Sequence, residues 1–391
     1  MTPAGRIQAA IEVLDEVIAS VRDDGPPADT IVTRYFKHRR YAGSKDRRAV
    51  RELAFRAIRR SSDRPESGRA AIFGLARDEP ALLDSFGEPR GPAPVAEDEP
   101  AASAGSVPDW LRPELSPLVL EAEWPALLER APLDLRANIS RASRDQLLGE
   151  FEGSAPTSIS PWGIRLPVDS RVDDRAAFQS GLVEVQDEGS QLIALACQPS
   201  DGDRLLDLCA GAGGKALALA AAAPDATILA ADSNRARLAK LAPRAQRAGA
   251  AIETRLLNPP HELDQLDDWR QGADMVLIDA PCSGSGTWRR NPEGRWRLTP
   301  ERLERLVAVQ ERLLDIGAEL VKPGGSLVYA VCSLLSREGA GQIDRFLHDR
   351  SSWISEETPI AAGRLDGEGR LLTPAHDRTD GFFVARLRRP C

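Results

Sequence analysis

Apolar positions along the chain change their period near residue 180. Ile7, Ala10, Ile11, Leu14, Val17 and Ile18 recur every three to four positions, as do Val50, Leu53, Ala54, Ala57 and Ile58. That spacing buries one face of a helix and predicts a helical unit over residues 1–86. Gly87 to Pro108 follows with Pro89, Pro92, Pro94, Pro100 and Pro108, an acidic Glu97-Asp-Glu99 and few apolar positions, the composition of a linker. Residues 109–180 hold short mixed patterns, among them Leu133-Asp-Leu-Arg-Ala-Asn138 and Trp162-Gly-Ile-Arg-Leu-Pro, and predict a small α+β unit.

From residue 181 to 391 short apolar runs alternate with helical patterns. Strands are predicted at Leu205-Leu206, Thr227-Ile-Leu-Ala-Ala, Met275–Ile278 and Ser326–Val331, with a last apolar pair near Phe382. Between them lie helical stretches at 190–196, 216–223, 235–248 and 301–320. Continuous apolar strands separated by helices predict an α/β domain of Rossmann-like type, with a parallel sheet and right-handed crossovers. Ligands of such sheets bind at the carboxyl ends of the strands, which makes the residues following each run the candidates for chemistry.

Four strand ends carry such residues. Asp207-Leu-Cys-Ala-Gly-Ala-Gly-Gly-Lys215 follows Leu205-Leu206, and its small residues allow a tight turn and backbone approach to a ligand at a helix N-terminus. Asp232 ends the next strand, nineteen residues beyond Gly213, where a carboxylate can accept ribose hydroxyls. Taken alone, this loop suits a dinucleotide dehydrogenase equally. Asp279-Ala-Pro-Cys282 closes the third run, with Pro281 fixing the backbone before the thiol and Ser-Gly-Ser-Gly286 after it. Cys332 closes the fourth. Free cysteines are usually small buried hydrophobes, but these two stand where an α/β sheet does its chemistry. A reactive thiolate needs nearby cations, for which Arg289, Arg290, Arg295 and Arg297 are the local candidates.

A cofactor site, a carboxylate and two thiols meet the demands of methylation at carbon 5 of a pyrimidine. That carbon attacks a sulfonium methyl once a thiolate has added to carbon 6, and a base must later remove the C5 proton so that the thiol can leave.

Composition narrows the setting. The formal net charge is −8, so contact with a polyanion needs a local basic patch. Between Arg34 and Arg60 there are eleven Lys/Arg against Asp46 and Glu52, which predicts such a face, although charge runs are commonly no more than solvated helix surface. Five cysteines without a Cys-x-x-Cys pair, and four histidines, speak against a disulfide framework and against zinc. No run approaches the roughly 18 apolar residues of a membrane span, and the start of the chain leads straight into an amphipathic pattern. A cytoplasmic, monomeric protein without metal or membrane contact is the expectation.

The chain resembles the RsmB/Nop/Sun family of RNA cytosine-C5 methyltransferases. The resemblance covers roughly residues 109–391 and rests on Val185-Gln-Asp-Glu-Gly-Ser-Gln191, Asp207 to Lys215, Asp279-Ala-Pro-Cys-Ser-Gly, Arg289-Arg-Asn-Pro292, Lys322-Pro-Gly-Gly to Cys332-Ser333, and Asp380-Gly-Phe-Phe383. It implies a class I methyltransferase domain, a small RRM-like unit and, from the helical N-terminus, a NusB-like RNA-binding domain. It further implies S-adenosyl-L-methionine as cofactor and RNA as partner, with 16S ribosomal RNA the expected acceptor. Cys332 would be the nucleophile, Cys282 would assist product release, and Asp279 would contact the base and the cofactor. Cys209, Ala210, Gly211, Ala212, Gly213, Gly214 and Lys215 would hold the cofactor, with Asp232 on its ribose and Arg237, Asn258, Asp279 and Pro281 completing the pocket. Two positions depart from the family pattern. Val331 stands where the family has threonine before the nucleophile, and Asn258 stands where it has an acidic residue near the adenine, so altered cofactor contacts are expected. The competing reading is an RNA-binding ribosome-assembly factor with a vestigial pocket.

Overall fold

The computed structural model describes residues 1–23, 25–167 and 170–391, which divide into two compact units. The first comprises Met1–Leu115, Leu120–Arg130 and Thr287–Pro300. Its frame is four helices, α1 (Pro3–Arg22), α2 (Ala28–Lys37), α3 (Ser44–Arg60) and α4 (Gly68–Asp78). Thr2 and Ser67 cap α1 and α4 through their hydroxyls, satisfying helix N–H groups that have no partner within the helix. Ile7, Leu14, Val17, Ile31, Phe36, Val50, Ile58 and Ile72 meet in its core, and Trp296 joins them.

Trp296 comes from a segment expected to belong wholly to the α/β domain. Within Thr287–Pro300, Glu293 accepts the Ala28 N–H at 2.9 Å, standing in for the capping side chain that α2 lacks at Pro27. Arg295 donates to the carbonyls of Ile58, Arg59 and Ser106 at 2.6, 2.7 and 2.8 Å, so a buried guanidinium covers the carboxyl end of α3, where the helix dipole favours a cation. The stretch Gly87 to Pro108 is likewise no free linker. Arg69 donates to the carbonyls of Ala93 and Pro94 and to Glu99, and Val107 is fully buried. Prolines leave their carbonyls to be satisfied by someone else's donor, and a five-donor guanidinium does this here.

The second unit comprises Ser116–Val119, Ala131–Gly286 and Glu301–Cys391. Its first part is a four-stranded antiparallel sheet of order β2-β3-β1-β4, built from β1 (Leu133–Ala137), β2 (Ala155–Pro156), β3 (Gly163–Leu166) and β4 (Val183–Val185), with short helices α5 (Arg144–Leu148) and α6 (Ala176–Gln179). The main sheet follows through α7 (Glu188–Ala196), β5 (Arg204–Asp207), α8 (Gly214–Ala222), β6 (Thr227–Asp232), α9 (Arg235–Leu238), α10 (Leu241–Ala248), β7 (Glu253–Leu256), α11 (Glu262–Gln265), β8 (Ala273–Asp279), α12 (Pro300–Leu320), β9 (Val321–Val331) and α13 (Ala340–Asp349). It closes with β10 (Ile354–Glu356), β11 (Arg364–Asp366), β12 (Gly369–Leu372), α14 (Pro374–Asp377) and β13 (Phe382–Arg388).

Strands β9, β8, β5, β6 and β7 run parallel in that spatial order, as the alternating pattern predicts. The antiparallel flank of β13, β12 and β11 beside β9 was visible only as the apolar pair near Phe382. The main sheet's core joins Leu205, Ile228, Met275, Leu277, Val328 and Val384 to the apolar faces of α7 and α8. Val185 to Gln191 links the two sheets. Gln186 accepts from Arg136, Glu188 accepts the Ile159 and Ser160 N–H groups, and Gln191 donates to the Leu135 carbonyl. Glu188 and Gln191 are fully buried, so this motif is a structural joint.

Candidate active site

The four strand ends converge on one cavity of about 480 Å³, within the roughly 300–1,000 Å³ of small-molecule sites. Leu208 and Cys209 line it from the end of β5, Asp232 to Asn234 from β6, Leu257 and Pro259 beyond β7, and Asp279 to Cys282 from β8. Cys332 closes it from β9, and Arg302, Leu306, Val309, Arg312 and Leu313 wall it from α12.

The glycine loop is held by backbone bonds. Gly213 N–H donates to the Ala210 carbonyl at 2.8 Å and Ala210 N–H to Ala231 at 2.9 Å. Gly213 has φ +82°, and a Cβ there would lie 2.1 Å from Leu241 Cδ1, so both the left-handed backbone and the packing of α10 require glycine. Asp232 accepts the Gly211 N–H at 2.7 Å and the Asn234 N–H at 2.6 Å, one on each oxygen. These bonds aim its carboxylate along the cavity wall and leave lone pairs on both oxygens for hydroxyl donors.

The thiols lie on adjacent strands, in register from Met275↔Ser326 to Asp279↔Ala330, and Cys282 Sγ stands 3.3 Å from Cys332 Sγ. Gly286 N–H donates to the Cys332 carbonyl and Gly381 N–H to the Gly286 carbonyl. A Cβ on Gly286 would lie 2.0 Å from the Gly381 oxygen, so the Asp380-Gly-Phe-Phe383 motif is the backing against which the Cys282 loop folds. The hydrogen bond with Cys332 and burial hold the Cys282 thiol well above the ordinary thiol range, and the charge of Glu338 adds to this.

Lys215 is buried, and its Nζ lies 2.6 Å from Asp279 Oδ2. Burial pulls its proton affinity down, but the charge and hydrogen bond of Asp279, with Cys332 and Asp207 beyond, outweigh this and leave it raised. Lys215 is thus a persistent cation serving both Asp279 and Cys332. Two of the four arginines expected to serve the thiols do other work. Arg295 and Arg297 spend their donors on carbonyls within the first unit, and Arg289 and Arg290 belong to that unit too.

Of the residues named from sequence, Cys209, Asp232, Arg237, Asp279, Pro281, Cys282 and Cys332 line the cavity. Gly211 and Lys215 bond directly to lining carboxylates. Ala212 turns its carbonyl to Arg244 at 2.6 Å, and Gly214 opens α8. Asn258 is exposed, with its N–H donated to Gln265, and its neighbours Leu257 and Pro259 line the wall instead. Sequence reasoning passed over Arg302 and Arg312, because helical periodicity does not tell which face of α12 meets the strand ends, and over Glu262, which opens the short helix α11. It also passed over Asp207 as a charged group. Asp207 is buried, neither carboxylate oxygen has a donor in good hydrogen-bonding geometry, and its pKa is pushed up to about 7. Among the described residues no cluster of His, Cys, Asp or Glu could hold a metal ion, and no helix is long and apolar enough to cross a membrane.

The basic cluster of the first unit is smaller than its composition implies. Arg34, Arg39, Arg51, Arg56 and Arg60 pair with Glu16, Glu12, Asp29, Glu79 and Asp78, and Arg59 donates to the Leu128 carbonyl. Lys37, Arg40, Lys45, Arg47 and Arg48 are exposed around the α2–α3 turn and have no acidic partner among the described residues. Tyr41, 75% exposed, stands in their midst.

The model of the 16S rRNA methyltransferase RsmB/F family matches residues 194–388. Ribosomal RNA small subunit methyltransferase B of Sodalis glossinidius is 33% identical over 310 residues, covering 76% of this chain and 69% of the relative. The protein of that name in Salmonella arizonae is 33% identical over 288 residues, and the match spans 72% of this chain and 66% of the relative's length. Among solved structures, PH0851 superposes with a TM-score of 0.76 at 20% identity, over 100% of this chain and 99% of that one. A methyltransferase homolog protein from Pyrococcus horikoshii does so with 0.59 at 26% identity, over 68% and 89%. NSun6 from the same organism, solved with SFG, does so with 0.60 at 19% identity, over 68% and 92%.

Proposed function

The chain belongs to the RsmB/F methyltransferase family, and on that premise we propose that it transfers a methyl group from S-adenosyl-L-methionine to carbon 5 of a cytidine in ribosomal RNA, 16S in the first place. The pair of thiols 3.3 Å apart on the cavity wall, beside the Lys215–Asp279 pair, carries this reading. The cavity residues fit the cofactor. Asp232 offers oxygens to ribose hydroxyls, Leu257 and Pro259 offer apolar wall to an adenine ring, and the loop from Cys209 to Lys215 runs beside them. When bound, the cofactor supplies the electrophilic methyl group.

Cys332 is the nucleophile in this reading. Its thiolate bonds to C6 of the cytosine, and the Lys215–Asp279 pair at the ring edge delivers a proton to N3, which neutralises the charge developing there. C5 then carries the electron density needed to accept the methyl group. A solvent base then takes the C5 proton as the S–C6 bond breaks and returns Cys332 to the thiolate, and Cys282, held protonated by its surroundings, assists by donating its S–H to the departing sulfur. The exposed cations around the α2–α3 turn give the helical unit a phosphate-binding face despite the acidic total, and Tyr41 offers a stacking surface to an unpaired base.

A denaturing gel of each cysteine variant with ribosomal RNA and cofactor tests the assignment. Cys332→Ala abolishes turnover and any covalent RNA adduct. Cys282→Ala stops turnover but accumulates protein bound to RNA. An adduct in Cys332→Ala and none in Cys282→Ala would reverse the roles, and the absence of m5C in RNA treated with wild-type protein would remove the function itself.

A further inference from the structure

Glu338 lies in the loop between β9 and α13, six residues beyond Cys332, and is fully buried. No cation pairs with it among the described residues. A buried carboxylate costs several kcal/mol unless hydrogen bonds replace its water, and here they come from the neighbours of the thiols. Ser283 N–H, next to Cys282, donates to Oε1 at 2.8 Å and to Oε2 at 3.2 Å. The Ser333 hydroxyl, next to Cys332, donates to Oε2 at 2.6 Å. Gln310 of α12 donates through Nε2 to Glu338 Oε1 and to the carbonyl of Pro281, both at 2.9 Å. Both loops that carry a thiol are therefore tied, one residue past the thiol, to the same carboxylate.

We propose that Glu338 is a positioning residue that joins the Cys282 and Cys332 loops and sets the distance between their thiols. An apolar side chain could fill the same volume without the desolvation cost, but it would offer no acceptor to Ser283 or Ser333, and the two loops would be left with the Gly286 N–H bond to the Cys332 carbonyl, the Leu334 N–H bond to Ser285 and contacts among serine hydroxyls. The negative charge beside Cys282 also helps to keep that thiol protonated, which separates its part from that of Cys332. The inference rests on the thiol chemistry proposed above only for its consequence in catalysis, since the geometry itself can be tested in the free protein.

The reduced full-length chain and its Glu338→Gln, Glu338→Ala and Ser333→Ala variants are treated with diamide in the absence of RNA. Two thiols then lose two electrons and two protons to diamide, which becomes the hydrazine, and one S–S bond forms. Peptide mass mapping follows the Cys282–Cys332 product. Wild type pairs fastest. Glu338→Ala slows pairing more than about tenfold, and Ser333→Ala and Glu338→Gln, which keep part of the network, slow it about threefold. Methyl transfer to ribosomal RNA falls in the same order, while affinity for S-adenosylmethionine and the denaturation midpoint of Glu338→Gln stay near wild type. Pairing at the wild-type rate in both Glu338→Gln and Ser333→Ala, or no pairing in wild type, overturns the inference even if Glu338→Ala does not fold. Wild type that pairs its thiols but methylates no ribosomal RNA overturns the proposed function and leaves the role of Glu338 standing.

Discussion

Replacing Asp207 by asparagine is expected to stabilise the protein by an amount that grows as pH rises from about 4 to about 7 and then levels off. The carboxylate lies at the end of β5, 1% exposed, with no well-placed donor on either oxygen. Burial is the main reason its pKa rises from 3.8 to about 7, and the charge of Asp279 comes next. Lys215 acts the other way, Asp232 raises it further, and the Cys209 amide lowers it. The folded state therefore binds this proton more tightly than the unfolded state. Stability is fully retained at pH below about 4, where both states are protonated, and is lost as pH rises towards the folded value. A shift of about three units at 1.36 kcal/mol each is a cost of about 4 kcal/mol at pH 8, of which about 3 kcal/mol builds up between pH 5 and 8. Asparagine has nearly the same shape and no charge to desolvate. Urea unfolding of cofactor-free wild type and Asp207→Asn, followed by circular dichroism at pH 5, 6, 7 and 8, reads this group because titrations not coupled to it cancel in the difference. The variant should gain about 3 kcal/mol on wild type between pH 5 and 8. A difference that stays constant to within about 0.5 kcal/mol across this range would refute the reasoning, since the carboxylate would then have a partner that relieves it.

Two further outcomes are expected. Arg295→Ala, which strips three carbonyls of a charged donor, should destabilise the helical unit by about 3–5 kcal/mol. Arg295→Lys should rescue little because one ammonium cannot span the fork, and denaturant midpoints together with proteolysis near Arg60 measure both. Reversing Arg40, Lys45 and Arg48 to glutamate should weaken RNA binding and reduce the log–log salt slope by about 2, as fewer counterions are released, whereas reversing the ion-paired Arg34 and Arg51 should change the slope much less. Affinity titrations from low to moderate salt separate the two sets.

Local sequence determined the parallel core of the sheet and the place of its chemistry. A buried parallel strand is a continuous apolar run, its carboxyl end faces the ligand crevice, and Cys209, Asp232, Asp279, Cys282 and Cys332 stand at those ends, so periodicity alone located the cavity. What tertiary structure decided depends on partners far apart in the chain. Arg295 and Trp296 read as local cations and loop, yet they find the end of α3 more than 230 residues away, where unpaired carbonyls and a gap in an apolar core attract them. The run from Arg34 to Arg60 read as one basic face, yet acids on α1, α2 and at the end of α4 neutralise five of its eleven cations, and only the fold decides which cations remain free. Glu338 carried no motif signal, because a carboxylate in a loop is ordinarily solvated. Burial between two strand ends, with three donors making four hydrogen bonds to it, is what turns an ordinary glutamate into the tie between two thiols.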